Sequence, residues 1–280
     1  MWQPVRQSVF LSSYARKPDD IGYARTRFYQ DDHAMKLDFL RSTRTMRDLR
    51  QLDWPTSLKV LVLAPHPDDF DAIGVTLKYL HESGHDIYAA VSVTGSGIDE
   101  AYGAGLSVDD RRNLRIKEQR DSMRFFGLHE DHFRFLYLNN ADDEQLTDDA
   151  ENGETLTAVV REIRPDLIFS PHGNDTNRAH RAMCALVSGI AKAADWPIAL
   201  MLNRDAKTLD MRTDFYLAFD EADAQWKGQL LRFHDSQQQR NLKTRGHGFD
   251  ERVLNLNRAI ARELQTAQPY AAAYEAQVFD

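Results

Sequence analysis

Two short stretches of the 280-residue chain carry residue types at spacings that suit metal chemistry. The first is Ala64-Pro65-His66-Pro67-Asp68-Asp69, which sets one imidazole and two carboxylates within four positions. His66 and Asp69 stand three apart across a tight turn, so both can point at one ion. Asp68 points differently and is placed to act on water at that ion. The same two carboxylates would equally serve as caps of the following helix, where its dipole favours negative charge. The second stretch, Ser170 to His180, contains His172, Asp175, Asn177 and His180. His180 falls about one turn into an expected helix and can project back toward the ion. Two His and one Asp leave a tetrahedral zinc with an open fourth position, the arrangement of a hydrolytic rather than a structural site. A His in the first turn of a helix is, taken alone, an ordinary surface or capping residue. Two independent clusters favour the metal.

These clusters need elements to hold them. Lys59 to Ala64 is a continuous apolar run rich in β-branched residues, suited to a strand buried on both faces. Pro67, followed by Ile73, Leu77 and Leu80, suits a helix start and an apolar helical face, with Gly84 as its stop. Further strands are expected at 86–93, 133–138, 166–170, 198–202 and 215–219. Helices are expected at 108–126, 151–163, 178–194, 221–233 and 249–264, with Asp175, Thr176 or Asn177 capping the third of them. Alternating strands and helices over more than half the chain predict an α/β fold, a Rossmann-like three-layer sandwich around a mostly parallel central sheet. In such sheets ligands sit beyond the carboxyl ends of the strands. Both clusters follow expected strands and should face one crevice. Residues 1–55 are expected to form an arm packed on a main domain spanning 56–280.

Composition narrows the classes. Lys plus Arg total 35 against 43 Asp plus Glu, a net charge of −8. That balance argues against nucleic acid as a partner, because a duplex binder needs a basic face to displace counterions. The single cysteine, Cys184, excludes an internal disulfide and an all-thiolate zinc cluster, and reads as a small core residue. The first residues have no basic head and apolar stretch, and the longest aliphatic run is too short for a membrane span. A cytoplasmic protein is therefore expected, with oligomeric state left open, a homo-oligomer included.

The His66-Pro67-Asp68-Asp69 run and the later Asp175…His180 segment resemble the LmbE/PIG-L family of zinc-dependent N-deacetylases. Weaker features extend the match in order: Arg115 and Glu118 before Gly127, Lys227 before His234-Asp235-Ser236-Gln237, and Phe249-Asp250-Glu251-Arg252 with the 270–279 tail. The resemblance covers roughly residues 58–280. It implies His66, Asp69 and His180 as zinc ligands, with Fe2+ or Co2+ also accepted by such a donor set. It implies Asp68 as general base and Arg115 as a contact to substrate hydroxyls. His172 and Asp175 are further candidates for the substrate pocket. The expected substrate is a small glycoconjugate bearing N-acetylglucosamine. Zinc would polarise the acetyl carbonyl and lower the pKa of the attacking water, whose proton Asp68 accepts.

One departure stands out. Where family members usually carry His-Pro-Asp-His, this chain has Asn177-Arg178-Ala179-His180. The last His is kept, whereas Asn177 can offer an oxyanion only an amide hydrogen bond and no proton. If that proton is needed, His172 or recycling through Asp68 must supply it. The change keeps two other readings open: a sugar-binding homologue with metal but little hydrolysis, and an amidase for a thiol-conjugated amide. Other residues are expected to lie outside the chemistry. His81, His85, His129 and His132 read as solvated or helix-end groups. The Thr94-Gly95-Ser96-Gly97 loop reads as a wall of the substrate pocket. His234 and Gln237 read as braces of the C-terminal region.

Overall fold

The computed structural model describes residues 37–41, 45–94, 97–141 and 145–280. The strands are β1 (Arg47–Asp48), β2 (Lys59–Ala64), β3 (Asp86–Ser92), β4 (Phe133–Leu136), β5 (Leu167–Pro171), β6 (Ile198–Asn203), β7 (Phe215–Phe219) and β8 (Tyr270–Phe279). They form one sheet in the order β1-β7-β8-β6-β5-β2-β3-β4. Every pairing is parallel except those of β8, which runs antiparallel between β6 and β7. The helices are α1 (Asp38–Arg41), α2 (Asp69–Ala72), α3 (Gly74–Glu82), α4 (Val108–Phe126), α5 (Ala150–Ile163), α6 (Arg178–Ala193), α7 (Glu221–Leu231), α8 (Asp235–Arg245) and α9 (Phe249–Glu263).

The continuous apolar character of β2 follows from its place in the middle of the sheet. Val60, Val62 and Ala64 enter one core while Leu61 and Leu63 enter the other. A strand covered on both faces has no polar side to alternate with. The same split runs through β6, with Ala199 and Met201 on one face and Ile198, Leu200 and Leu202 on the other. Helix α6 closes the second core with Ala179, Ala182, Met183, Leu186 and Val187, an i, i+3, i+4, i+7, i+8 stripe. The parallel register of β2 on β5, Val60 beside Leu167 and Val62 beside Phe169, sends both strands out at the same sheet edge. That register is what brings two sequence-distant motifs together.

One expected helix needs correction, and two further elements lie where no element was expected. The single helix from Pro67 is in fact two, α2 and α3, broken at Ile73, with Asp68 in the left-handed region at φ 116°. Residues 235–245 form a helix although its surface is almost entirely polar, because it packs through Ser236, Gln237, Gln238 and Asn241 rather than an apolar stripe. Residues 270–279, whose alanine run favours helix, form the longest strand of the sheet, since β8 fills the gap between β6 and β7. His85 is also buried rather than solvated, its Nδ1 accepting the Leu58 N–H at 3.2 Å. Of residues 1–55, the described part supplies α1 and β1, and Leu37, Leu40, Leu49 and Leu52 join the first core; residues 1–36 and 42–44 lie outside the described residues. Among the described residues no helix is long and apolar enough to cross a membrane.

Candidate metal centre and active site

The loop leaving β2 and the start of α6 meet over the sheet edge. Ligand atoms of His66, Asp69 and His180 all lie within 4.8 Å of one another. Asp69 is the bridge between the two motifs. Its Oδ2 accepts the His66 backbone N–H at 3.0 Å and lies 3.1 Å from His66 Nδ1. Its Oδ1 lies 3.5 Å from His180 Nε2. Behind His180, Asp175 Oδ2 stands 3.3 Å from the other ring nitrogen, Nδ1. Asp175 is itself fixed by the Asn177 N–H at 2.6 Å and the Thr208 hydroxyl at 3.3 Å. A carboxylate at Nδ1 sets the tautomer that leaves Nε2 as a lone-pair donor, the usual support for a metal-bound imidazole. Two imidazoles and one carboxylate, with no sulfur, fit a divalent cation of the zinc type.

The electrostatics agree with a site built for positive charge. Burial opposes a charged His180, but Asp69 and Asp175 outweigh it and raise its pKa to about 10. Burial likewise resists a charged Asp69, yet His180 and His66 hold that carboxyl well below the usual carboxylate range. His66 is pushed down by burial despite Asp69. A divalent cation in place of the proton on His180 would bring one further positive charge to the same carboxylates.

Asp68 occupies the strained position of the loop. A φ of 116° is costly for any residue with a Cβ, and two contacts from α4 stabilise it. Gln119 Oε1 accepts the Asp68 N–H at 2.8 Å, and the Arg115 guanidinium donates to the Pro67 carbonyl at 2.5 Å and reaches Asp68 Oδ2 at 3.3 Å. Burial pushes the Asp68 carboxyl up to about 6, against the pull of Arg115. Asp68 thus has Arg115 as its ionic partner, whereas Asp69 faces the two imidazoles.

A cavity of about 430 Å³ opens over these groups, and His66, Asp68, Asp69, Arg115, Asn177 and His180 all line it. Asn177 caps α6, its Oδ1 accepting the Ala179 N–H at 3.1 Å. Gln237 also reaches the cavity and donates to the Gly97 carbonyl at 3.2 Å. Gly97 lines the cavity as well, whereas Gly95 and Ser96 lie outside the described residues. Asp175 and His172 do not line it: Asp175 is buried behind His180, and His172 faces Glu275, with 3.5 Å between Nε2 and Oε2.

Several contributors escaped sequence reasoning. Beside Arg115 and Glu118, which the sequence already offered, helix α4 buries Gln119 and Ser122, and the four make a polar stripe at the spacing where a core-facing helix normally shows apolar residues. That inverted stripe was the available signal. Glu118 receives the N–H and hydroxyl of Ser236 at 2.7 Å each, which anchors the start of α8. Asp71 is fully buried beneath the loop, where Gln119, Ser122 and His234 converge on its Oδ2. His234 is thus a brace rather than a cavity wall. Asp205, in the loop after β6, forms a second close group with Asp175 and His180; its signal was its place just past a strand end beside β5.

Comparison with known proteins follows the same lines. Residues 61–191 match the family model described as PIG-L, GlcNAc-PI de-N-acetylase. The matched segment is just under half of the 280-residue chain. No curated protein matches it in sequence. In structure, the chain is similar to the N,N'-diacetylchitobiose deacetylase of Pyrococcus horikoshii, with a TM-score of 0.65, 16% identity, and coverage of 94% of this chain and 95% of the other. It is similar also to the A40926 pseudoaglycone deacetylase Dbv21, with a TM-score of 0.59, 18% identity, and coverage of 78% and 96%. A third likeness is to GalB, the 4-carboxy-2-hydroxymuconate hydratase of Pseudomonas putida KT2440, at a TM-score of 0.59, 15% identity, and coverage of 78% and 95%. This fold therefore carries more than one reaction, and the reaction must be argued from the site.

Lys227 is fully enclosed and donates to Asn257 Oδ1 at 2.8 Å. Burial lowers its pKa to about 7, with Asp71 opposing. The sign follows from linkage. Below pH 7 the folded chain carries a buried ammonium at full cost; between pH 7 and the unfolded value near 10.5 the folded form releases the proton first, so stability rises. Unfolding free energy from urea titrations is expected to gain on the order of 3 kcal/mol from this group between pH 7 and 10. Lys227→Met is expected to flatten that part of the profile. An unchanged slope would show that Lys227 titrates normally.

Proposed function

We propose that this chain is a metal-dependent hydrolase that removes an N-acetyl group from an N-acetylglucosamine-type sugar or glycoconjugate. The observation that carries this reading is the convergence of His66, Asp69 and His180 at the floor of a cavity that Asp68 also lines. These three residues would hold a divalent cation, zinc in the first instance. Such an ion supplies a Lewis acid for the amide carbonyl and a lowered pKa for water.

The chain's own groups do the rest. Asp68, held by Gln119 and Arg115, accepts the proton of the attacking water and returns it to the leaving amine. Asn177 has committed its carbonyl oxygen to capping α6, which leaves its amide N–H donors for the developing oxyanion. Asp175 orients His180 instead of touching substrate. Arg115 keeps Asp68 in place and presents its remaining surface to the cavity.

Acetate release from a panel of N-acetylglucosamine glycosides by zinc-loaded protein tests the reading; full metal occupancy without acetate from any of them favours the sugar-binding alternative. Asn177→Asp separates the two tasks of that residue. Aspartate caps a helix as well as asparagine does, so the melting temperature should hold, while loss of the amide donor and the added charge should lower kcat by at least about tenfold. Turnover equal to wild type would remove Asn177 from oxyanion stabilisation.

A further inference from the structure

Asp68 is held in its left-handed turn from beneath, by a chain of buried polar groups. Gln119 Oε1 accepts the Asp68 N–H at 2.8 Å, and the other end of the same amide, Nε2, donates to Asp71 Oδ2 at 3.0 Å. Asp71 also accepts the Ser122 hydroxyl at 2.9 Å and meets His234 Nε2. Asp71 comes from α2, Gln119 and Ser122 from α4, and His234 from the residue before α8. All four side chains are fully buried, and none of them lines the cavity.

The polarity of an amide makes this arrangement directional. A glutamine side chain has one end that accepts and one that donates. Between a backbone N–H and a carboxylate it fits one way only, because the reversed amide would set N–H against N–H and oxygen against carboxylate. Asp71 therefore selects the end of Gln119 that meets Asp68. Ser122 and His234 fix the Asp71 carboxylate in turn, from α4 and from the start of α8. Asp68 and Asp71 share one turn, in which the Ala72 N–H bonds to the Asp68 carbonyl at 3.0 Å. Gln119 thus closes a bracket across the start of α2. The bracket holds a conformation that a residue with a Cβ would otherwise leave, since a φ of 116° is costly for Asp.

We propose that Gln119 and Asp71 are positioning residues for the Asp68 carboxylate: Asp71, fixed by Ser122 and His234, orients the Gln119 amide, and Gln119 keeps Asp68 in the turn that presents its carboxylate to the cavity. This rests on the deacetylase reading, in which Asp68 moves the proton of the attacking water, and adds what holds that base in place. Neither residue lines the cavity, so both act through Asp68. His66, Asp69 and His180 make none of the bracket's contacts, which separates the placing of the base from the holding of the metal. A base displaced by about 1 Å loses on the order of 10²-fold in rate.

Two measurements on the zinc-loaded, full-length chain test it: steady-state acetate release, and hydrogen exchange resolved at the Asp68 amide. Gln119→Met keeps the length of the side chain and removes both hydrogen bonds. Exchange at Asp68 should quicken by about fivefold to tenfold, as expected for one lost hydrogen bond. The kcat should fall by about 10- to 100-fold, with KM within about twofold of wild type and zinc content unchanged. Asp71→Leu should reproduce both effects, whereas Asp71→Asn, which still offers an oxygen to the Gln119 amide, should cost about threefold in kcat. Where Asp71→Leu does not fold, the contrast between Gln119→Met and Asp71→Asn decides the matter. Wild-type exchange at Asp68 in Gln119→Met, or a raised KM with kcat unchanged, overturns the proposal. A loss in Asp71→Asn as large as that in Gln119→Met overturns it as well, and so does loss of zinc along with activity. Should no substrate release acetate, faster exchange in Gln119→Met with zinc retained would leave the bracket and remove the hydrolase; acetate release with wild-type exchange would do the reverse.

Discussion

Asp68→Asn is expected to lower kcat for acetate release by about 10²- to 10⁴-fold while zinc content stays at the wild-type level. The substitution keeps the shape and the backbone N–H that Gln119 Oε1 accepts, so the left-handed turn survives. It removes a carboxylate that lines the cavity beside the proposed ligands without belonging to them. Burial raises the Asp68 pKa to about 6 in the absence of an ion, and a bound dication would favour its charged form. Either way an amide at 68 cannot accept a proton from water. Metal content by mass spectrometry and kcat by acetate detection, measured on the same preparation, separate the two roles. Loss of zinc together with activity would make Asp68 a ligand, and retained turnover would remove it from the reaction.

His66→Ala and His180→Ala should each weaken zinc binding by an order of magnitude or more, because three protein donors leave no redundancy. The larger loss is expected for His180, whose Nδ1 is backed by Asp175 and whose Nε2 faces Asp69. Asp175→Asn should show a smaller loss, about 10- to 100-fold, since it disturbs only the orientation and basicity of the imidazole. Competition with a chelator of known affinity measures all three. Wild-type affinity in both His variants would place the ion elsewhere.

The parts of the molecule legible in sequence were those whose signal is local. The apolar run of β2 and the stripe of α6 announce their elements, and the parallel rhythm of strands and helices then brings two strand-end motifs to the same edge. What escaped notice depends on partners far away in the chain. The alanine run of β8 becomes a strand because β6 and β7 leave a slot for it, and α8 is helical with hardly any apolar face because Glu118 receives its first turn. The Asp71 cluster draws on α2, α4 and His234, so no short window contains it. The break at Ile73 and the positive φ of Asp68 were hidden for a related reason. Pro67 and the spacing of Ile73, Leu77 and Leu80 suit one continuous helix, whereas contacts from Arg115 and Gln119 stabilise the kink. His172 and Asp175 were legible as chemistry-bearing residues, but the direction in which each side chain points was not.

X-ray absorption at the zinc edge on the loaded, full-length chain probes the shared site most directly. One zinc per chain is expected, with two imidazole rings in its shell, falling to one ring in His66→Ala or His180→Ala measured at saturating zinc. A wild-type spectrum with fewer than two imidazoles, or one that neither substitution alters, would mean that the loops after β2 and β5 do not share an ion.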